Sequence, residues 1–305
     1  MIANVLAPKF LALYTFIASA LFIHFRGRVR HRFTRQLTDH STFLAPYNAL
    51  MYMFSGLPSK PFHDVKEFPE LKGLSDNWET IRDEGMRLFD DGYIKAAAKY
   101  NDLGFNSFFR TGWKRFYLKW YDKALPSAEA LCPKTVELVK AVPHVHAAIF
   151  AILPPGGRLV RHRDPFAGSM RYHLGLSTPN SPDCFIVVDG ENYFWRDGEG
   201  VVFDETYIHF AENKTDQTRL ILFYDVERPL NSGIMTAINR FTINHLVKGT
   251  ASQNMDNERV GVLNHVFGGA YRIRLLGKRI KAFNKTLYYL IKYVLIGALL
   301  YAIFA

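Results

Sequence analysis

The sequence predicts a mainly β core with flanking helices, bracketed by an apolar segment at each end. Three observations predict it. Between Val145 and Val226 the apolar residues recur with a period of two, in short runs separated by turn signals. From Leu71 to Phe89 their spacing is helical. Near each terminus a largely uncharged stretch has a cluster of arginines and lysines on its inner side. Many short, closely spaced strands call for a sandwich, a barrel or a jelly roll. At 305 residues and 49% hydrophobic, the chain has room for one large domain or two small ones and is too apolar for wholesale disorder.

The first segment, residues 1–25, reads as a transmembrane helix. Asn4 to His24 is apolar apart from Lys9, and about 20 such residues span a bilayer. Ala18-Ser19-Ala20 has the look of a cleavage site, but a signal peptide carries its charge ahead of the apolar run. Here Arg26, Arg28, Arg30, Arg32 and Arg35 follow it. The next segment, residues 26–68, is basic, juxtamembrane and connecting. Within it Tyr47 to Phe54 is apolar, too short to span, and suited to lying on a membrane surface.

Residues 69–235 form the expected core domain. Leu71, Leu74, Trp78, Ile81, Leu88 and Phe89 mark an inward helical stripe, with Ser75 or Asp76 as its cap. Phe105 to Tyr121 is aromatic and carries Arg110, Lys114, Arg115 and Lys119. It suits either a twisted edge strand or a surface for an anionic lipid. Pro133 suits the first position of a helix running to about Val142, with Val136 and Val139 inward. Strands are expected at 145–153, 171–177, 184–188, 193–196, 200–203, 208–212 and 218–226, with turns at Pro154 to Gly157, Pro179 to Pro182, Asp189-Gly190 and Asp197-Gly198. Cys132 and Cys184 cannot build a disulfide framework and read as buried free thiols.

Residues 229–270 look helical and loop-like and carry no chemistry. Residues 236–285 end in a second basic cluster, Arg272 to Lys285. Residues 286–305 are apolar with Lys292 their one charge, and form a transmembrane or an interfacial helix. With positive charge on the inner side of both segments, the core is expected in the cytoplasm and both termini outside. A chain held at both ends is a poor nucleic-acid binder, so its +10 formal charge points to a membrane.

The chemistry is expected between Arg161 and Arg219. His162 and Asp164 form a His-x-Asp pair, and His209 lies on a later strand. Residues two apart on a strand share a face, so His162 and Asp164 are expected to point together into the lumen and meet His209 there. Two imidazoles and a carboxylate are a ligand set for iron(II), leaving positions open for a cosubstrate and dioxygen. Arg219 follows ten residues after His209 and suits a carboxylate of 2-oxoglutarate; a structural pair with Asp204 or Glu205 is the competing use. Arg171, His173 and Gly175 share a polar face, and Tyr172, Leu174 and Leu176 an apolar one. His173 is expected to hydrogen-bond the cosubstrate rather than the metal. His144 and His146 have no carboxylate with them and are read as non-ligands.

At these residues the chain resembles the aspartyl/asparaginyl β-hydroxylase family of iron/2-oxoglutarate oxygenases. The run covers about Gly112 to Leu230. It includes Trp113, Cys132-Pro133-Lys134-Thr135, His162, Arg171-Tyr172-His173-Leu174-Gly175-Leu176, Gly200 to Asp204, His209, Arg219 and Asp225. Phe25 to His31 and Thr38 to Phe43 are similar to the bacterial lipid A 2-hydroxylase branch. The resemblance implies a double-stranded β-helix, iron held by His162 and His209, and 2-oxoglutarate contacted by Arg219, His173 and Arg171. Animal peptide hydroxylases of the family have glycine where this chain has Asp164, so a full facial triad is the expectation here. The implied activity is hydroxylation of a fatty-acyl chain of lipid A, or a related phosphorylated glycolipid, at the cytoplasmic face of a bacterial inner membrane. A peptidyl aspartate/asparagine hydroxylase and a non-enzymatic jelly-roll lipid-binding module are the competing expectations.

Overall fold

Two antiparallel sheets face each other and hold the core between them. A computed structural model describes residues 7–37, 39–97, 102–121 and 123–304. The strands in chain order are β1 (Phe62–His63), β2 (Lys114–Trp120), β3 (Val145–Leu153), β4 (Arg158–His162), β5 (Ser169–Ser177), β6 (Cys184–Val188), β7 (Glu191–Phe194), β8 (Gly200–Phe203), β9 (His209–Asn213) and β10 (Arg219–Glu227). The larger sheet runs β1-β8-β5-β10-β3-β2, and the smaller β4-β9-β6-β7. From β3 onward the chain changes sheet at every connection except the β6–β7 hairpin, which is the alternation of a jelly roll. Both long central strands, β5 and β10, are buried on both faces, which explains their near-continuous apolar runs.

Seven strands fall where the alternation placed them, with ends shifted by a residue or two. Three were not expected as strands outright. β1 lies ahead of residue 69 and pairs with β8. β2 is the edge strand that Phe105 to Tyr121 allowed. β4 carries the first candidate ligand, and its sequence hides it: Arg158, Val160 and Arg161 are exposed, so no apolar face alternates.

The helices of nine or more residues are α1 (Pro8–Phe25), α2 (Ala45–Met53), α3 (Trp78–Asp90), α4 (Pro133–Ala141), α5 (Gly233–His245), α6 (Val262–Phe283) and α7 (Lys285–Phe304). α3 lays Ile81, Gly85 and Leu88 on the larger sheet. The stripe expected from Leu71 is in fact two helical pieces broken at Asn77, and neither Ser75 nor Asp76 caps α3; the Ser75 hydroxyl donates back to the Leu71 carbonyl instead. α4 starts at Pro133 and turns Val136 and Val139 inward as expected. Both cysteines are buried and free, and burial pushes the Cys132 thiol up to about 12.

The aromatic and basic stretch is mostly internal. Arg115 is buried and donates to the Asp102 carboxylate at 2.9 and 3.0 Å, so it is not available to a lipid phosphate. Residues 229–270, in which no chemistry was expected, supply buried amides. Asn239 donates to the Gly168 carbonyl at 3.0 Å, and Asn254 bridges the backbone N–H and carbonyl of Tyr117.

Among the described residues one helix, α1, is long and apolar enough to cross a membrane. Residues 1–6 and Ala305 of the two expected terminal segments, and Thr38, lie outside the described residues. α7 is a helix with Leu287, Leu290, Val294 and Leu295 exposed.

His146 in β3 supports a pH prediction. It is buried and stacked on Tyr121, and burial lowers its pKa to about 4 against Glu227's opposing pull. The folded chain therefore resists a proton that the unfolded chain accepts below about 6.5, so stability contributed above 6.5 is lost as pH falls toward 4. The gap between those two values caps the loss at about 3 kcal/mol. His146→Phe is expected to make the melting temperature fall less steeply across that range, measured by thermal denaturation at a series of pH values.

Candidate metal centre

Strand pairing brings the first two ligands together. His162 ends β4, His209 begins β9, and the two are cross-strand partners with ring centroids 4.2 Å apart. Asp164 comes from the loop after β4, not from the strand. Its placement is due to its own N–H, which donates to the Glu205 carbonyl at 2.9 Å. The strand-alternation reason for pairing His162 with Asp164 is therefore replaced by a loop contact. The ligand atoms of His162, Asp164 and His209 lie within 4.8 Å of one another.

The donor set fits a metal ion. The Nδ1 of His162 is 2.7 Å from the Val160 carbonyl and that of His209 is 2.9 Å from the Tyr207 carbonyl. A carbonyl only accepts, so each Nδ1 carries the proton and each Nε2 keeps its lone pair for a ligand bond. Burial and the neighbouring His209 lower the His162 pKa to about 3, so its imidazole is neutral and able to ligate. Burial pushes the Asp164 carboxyl up, but Arg171 overrides it and holds the group well below the usual carboxylate range.

Arg171 lines the cavity, yet its guanidinium is engaged. It donates to Asp164 at 2.5 Å and to Asp225 at 2.9 Å. Three of its five N–H donors thereby brace the ligand carboxylate and Asp225. His173 has neither ring nitrogen hydrogen-bonded and rests edge-on against Phe203 at 4.9 Å. Burial, with Arg219 and Arg171 nearby, keeps it neutral, and it lies outside the three-residue ligand cluster.

Arg219 opens β10 and is 1% exposed. Its Nε and Nη2 have no hydrogen-bond partner among the described residues, and the guanidinium sits 4.3 Å over the Trp195 ring. Burial alone lowers its pKa to about 10, the mark of a desolvated cation. The competing pairing with Asp204 or Glu205 does not occur: Asp204 is taken by Arg26 and Arg228, and Glu205 accepts from Ser169. One cavity is lined by His162, Arg171, His173, His209 and Arg219 within walls of Phe105, Phe108, Trp195, Phe203, Ile221 and Phe223.

Gly175 lies behind this wall. A Cβ there would come within 2.0 Å of the Arg196 carbonyl, so the turn after β7 closes on β5 only if residue 175 is glycine.

The N-terminal strap also reaches the site. Arg26, read as one of the juxtamembrane basic series, is buried between Tyr52 and Tyr207 at 3.9 and 4.0 Å and pairs with Asp204 at 2.5 Å. Asp189 accepts from the N–H groups of Arg28 and Val29, an approach that Gly27 permits. Arg163, between two ligands, donates to the Ile23 carbonyl at the end of α1. Arg26→Ala is expected to lower stability by about 3 kcal/mol, since it leaves Asp204 buried beside Arg228 alone. It is also expected to weaken metal binding by about 10-fold through the displaced loop. Thermal melting and calorimetric metal titration read the two effects.

Residues 75–229 match the family model described as Aspartyl/Asparaginyl beta-hydroxylase. An ornithine lipid ester-linked acyl 2-hydroxylase of Rhizobium tropici is 38% identical over 194 residues, covering 60% of this chain and 66% of that protein. The aspartyl/asparaginyl beta-hydroxylase of Homo sapiens is 29% identical over 195 residues, covering 61% of this chain and 25% of that protein. The chain thus spans just under two thirds of the first relative and a quarter of the second. Among solved structures, a Pseudomonas putida prolyl-4-hydroxylase aligns over 50% of this chain and 87% of that one at 19% identity and a TM-score of 0.33, a likeness too slight to bear on the chemistry.

Proposed function

The chain belongs to the aspartyl/asparaginyl β-hydroxylase family, and from that premise we propose that it is an iron(II)/2-oxoglutarate-dependent dioxygenase that hydroxylates a fatty-acyl chain of lipid A or a related phosphorylated glycolipid. The observation that carries the reading is that the cavity lined by His162 and His209 of the His162, Asp164 and His209 cluster is also lined by Arg219, a buried arginine whose Nε and Nη2 have no hydrogen-bond partner among the described residues. Iron(II) with 2-oxoglutarate and dioxygen supplies the oxidising power to hydroxylate an unactivated C–H bond. His162 and His209 offer Nε2 and Asp164 a carboxylate oxygen to hold the ion. Arg219 meets the far carboxylate of the cosubstrate with parallel N–H donors. His173, neutral, donates one hydrogen bond beside it. Arg171 keeps Asp164 ionised and aimed. Phe105, Phe108, Phe203 and Phe223 exclude water and give an acyl chain an apolar path.

The lipid substrate is supported by α1, which suits a membrane, and by the rhizobial relative, whose own substrate class is an acyl lipid. The arginines after α1 support a cytoplasmic catalytic domain at a bacterial inner membrane with the amino terminus periplasmic, and the basic cluster from Arg272 to Lys285 leading into α7 supports the same side for the carboxy terminus. The relative at 38% identity favours a second reading, in which the acyl chain belongs to an ornithine lipid. Lipid mass spectrometry of cells with and without the protein separates them. One added oxygen on lipid A, absent with His162→Ala, is the expected result; the same addition on an aminolipid selects the second reading. Turnover of aspartyl or asparaginyl peptides by purified protein, with every lipid unchanged, would overturn both.

A further inference from the structure

The outer faces of α2 and α5 are built from separate parts of the chain and leave the same kind of surface uncovered. On α5, Ile234, Ile238, Phe241 and His245 recur at the spacing of one helix face, and Ile234 and Phe241 are 71% and 63% exposed. On α2, Leu50 and Met53 point outward, Met53 at 70%. The two helices are joined rather than merely near. Tyr47 donates to Asn239 at 2.5 Å, and just beyond Met53 the Asn231 N–H donates to the Phe54 carbonyl. That second link sets the exposed end of α2 beside the start of α5. Phe33, Leu37 and Phe43, in the turns between α1 and α2, are exposed as well, and Phe33 packs against His24 of α1.

Charge tells what covers this surface. From Pro8 to His63 the only acidic residue is Asp39, which is buried, and from Pro229 to Met255 there is none. Arg28, Arg30, Arg32 and Arg35 are exposed on the same connecting stretch. A wide apolar face bordered by exposed cations, of which Arg28 is paired with Glu191, fits an anionic bilayer. The face is also continuous with α1, the helix suited to cross a membrane. By contrast, the outward side of α3 carries Glu79, Asp83 and Asp90.

We propose that α2, α5 and the turns bearing Phe33, Leu37 and Phe43 form a second seating surface that lies in the interface of an anionic membrane, so that the chain is held flat on the bilayer and not only tethered by α1. The seating bears on the reaction. The turn carrying Arg35 donates to the Arg161 carbonyl, next to His162, and His40 bonds the Arg163 carbonyl. The lip of the metal cavity therefore lies beside the seated face, where an acyl chain lifted from the bilayer reaches it without crossing water. The proposal takes from the preceding section only that the chain works at a membrane.

The test uses the full chain in nanodiscs containing phosphatidylglycerol. Because Cys132 and Cys184 are buried, an environment-sensitive dye can be placed on Met53→Cys, Ile234→Cys or Phe241→Cys in turn, with Asp83→Cys on α3 as the control. Lipids spin-labelled near the headgroup are expected to cut emission about two-fold or more at the first three positions and leave the control unchanged, with weaker quenching in pure phosphatidylcholine. Emission at Met53, Ile234 and Phe241 quenched no more than at Asp83 overturns the proposal. That holds if iodide reaches the dyes, showing an open face, and equally if neither quencher does and the protein runs as a dimer, showing a second copy on the face. None of these readouts depends on turnover, so a failed seating surface and a failed lipid substrate remain separate results.

Discussion

Asp164→Ala is expected to abolish acyl hydroxylation and to weaken iron(II) binding by more than about 100-fold, beyond the range typical of losing an outer partner of a ligand. Two effects combine. The cluster loses its only carboxylate, leaving two neutral imidazoles. Arg171 loses the partner at 2.5 Å and keeps only Asp225, so a less compensated cation then faces an incoming dication. Anaerobic titration with iron(II), or with cobalt(II) as a spectroscopic probe, reads binding without turnover, and lipid mass spectrometry reads the product. His162→Ala is expected to be equally inactive. Activity in Asp164→Ala with none in His162→Ala would mean a two-histidine site, with Asp164 serving Arg171 alone.

The second large effect is at Arg219, where function and stability are expected to move in opposite directions. Arg219→Met keeps a long side chain over Trp195 and removes a charge buried with two nitrogens unpartnered. Burial of an uncompensated cation is costly, and an apolar residue of similar length is expected to raise stability of the ligand-free protein by about 1–4 kcal/mol. The same change removes the counter-charge for a cosubstrate carboxylate, a loss of about 2–5 kcal/mol in its binding. The measurements are a thermal melt of the metal-free protein and the KM for 2-oxoglutarate. A higher melting temperature with a raised KM is the expected pair. A lower melting temperature with unchanged KM would make Arg219 a structural residue.

Most of the β core could be read along the chain because a strand buried on one or both faces writes its pattern into neighbouring residues. Cys184 to Val188 and Gly200 to Phe203 appear at their expected bounds. β4 left no such trace, since its only half-buried apolar residue is Leu159 and its strength as a strand comes from pairing with β9. His162, Asp164 and His209 were legible as residue types with ligand chemistry. The reason they converge was not, because it rests on a cross-strand register and on one backbone hydrogen bond to Glu205.

The arginines show the same division more sharply. By type and setting, Arg26 is indistinguishable from Arg28 or Arg30, and Arg171 from Arg219. In the fold, Arg26 leaves the membrane-facing series to pair with Asp204, 178 positions away. Arg171 is spent on Asp164 and Asp225, and Arg219 is left with no carboxylate. The sequence by itself determined a core of many short strands, the apolar first segment and the residues able to bind a metal, because periodicity, hydropathy and ligand chemistry are local properties. Only the tertiary structure decided which cations are compensated by a carboxylate, which is not, and which helix faces stay uncovered. Pairing and burial depend on contacts between distant segments, and the free energy of a charge is set by those contacts and not by its neighbours in the chain.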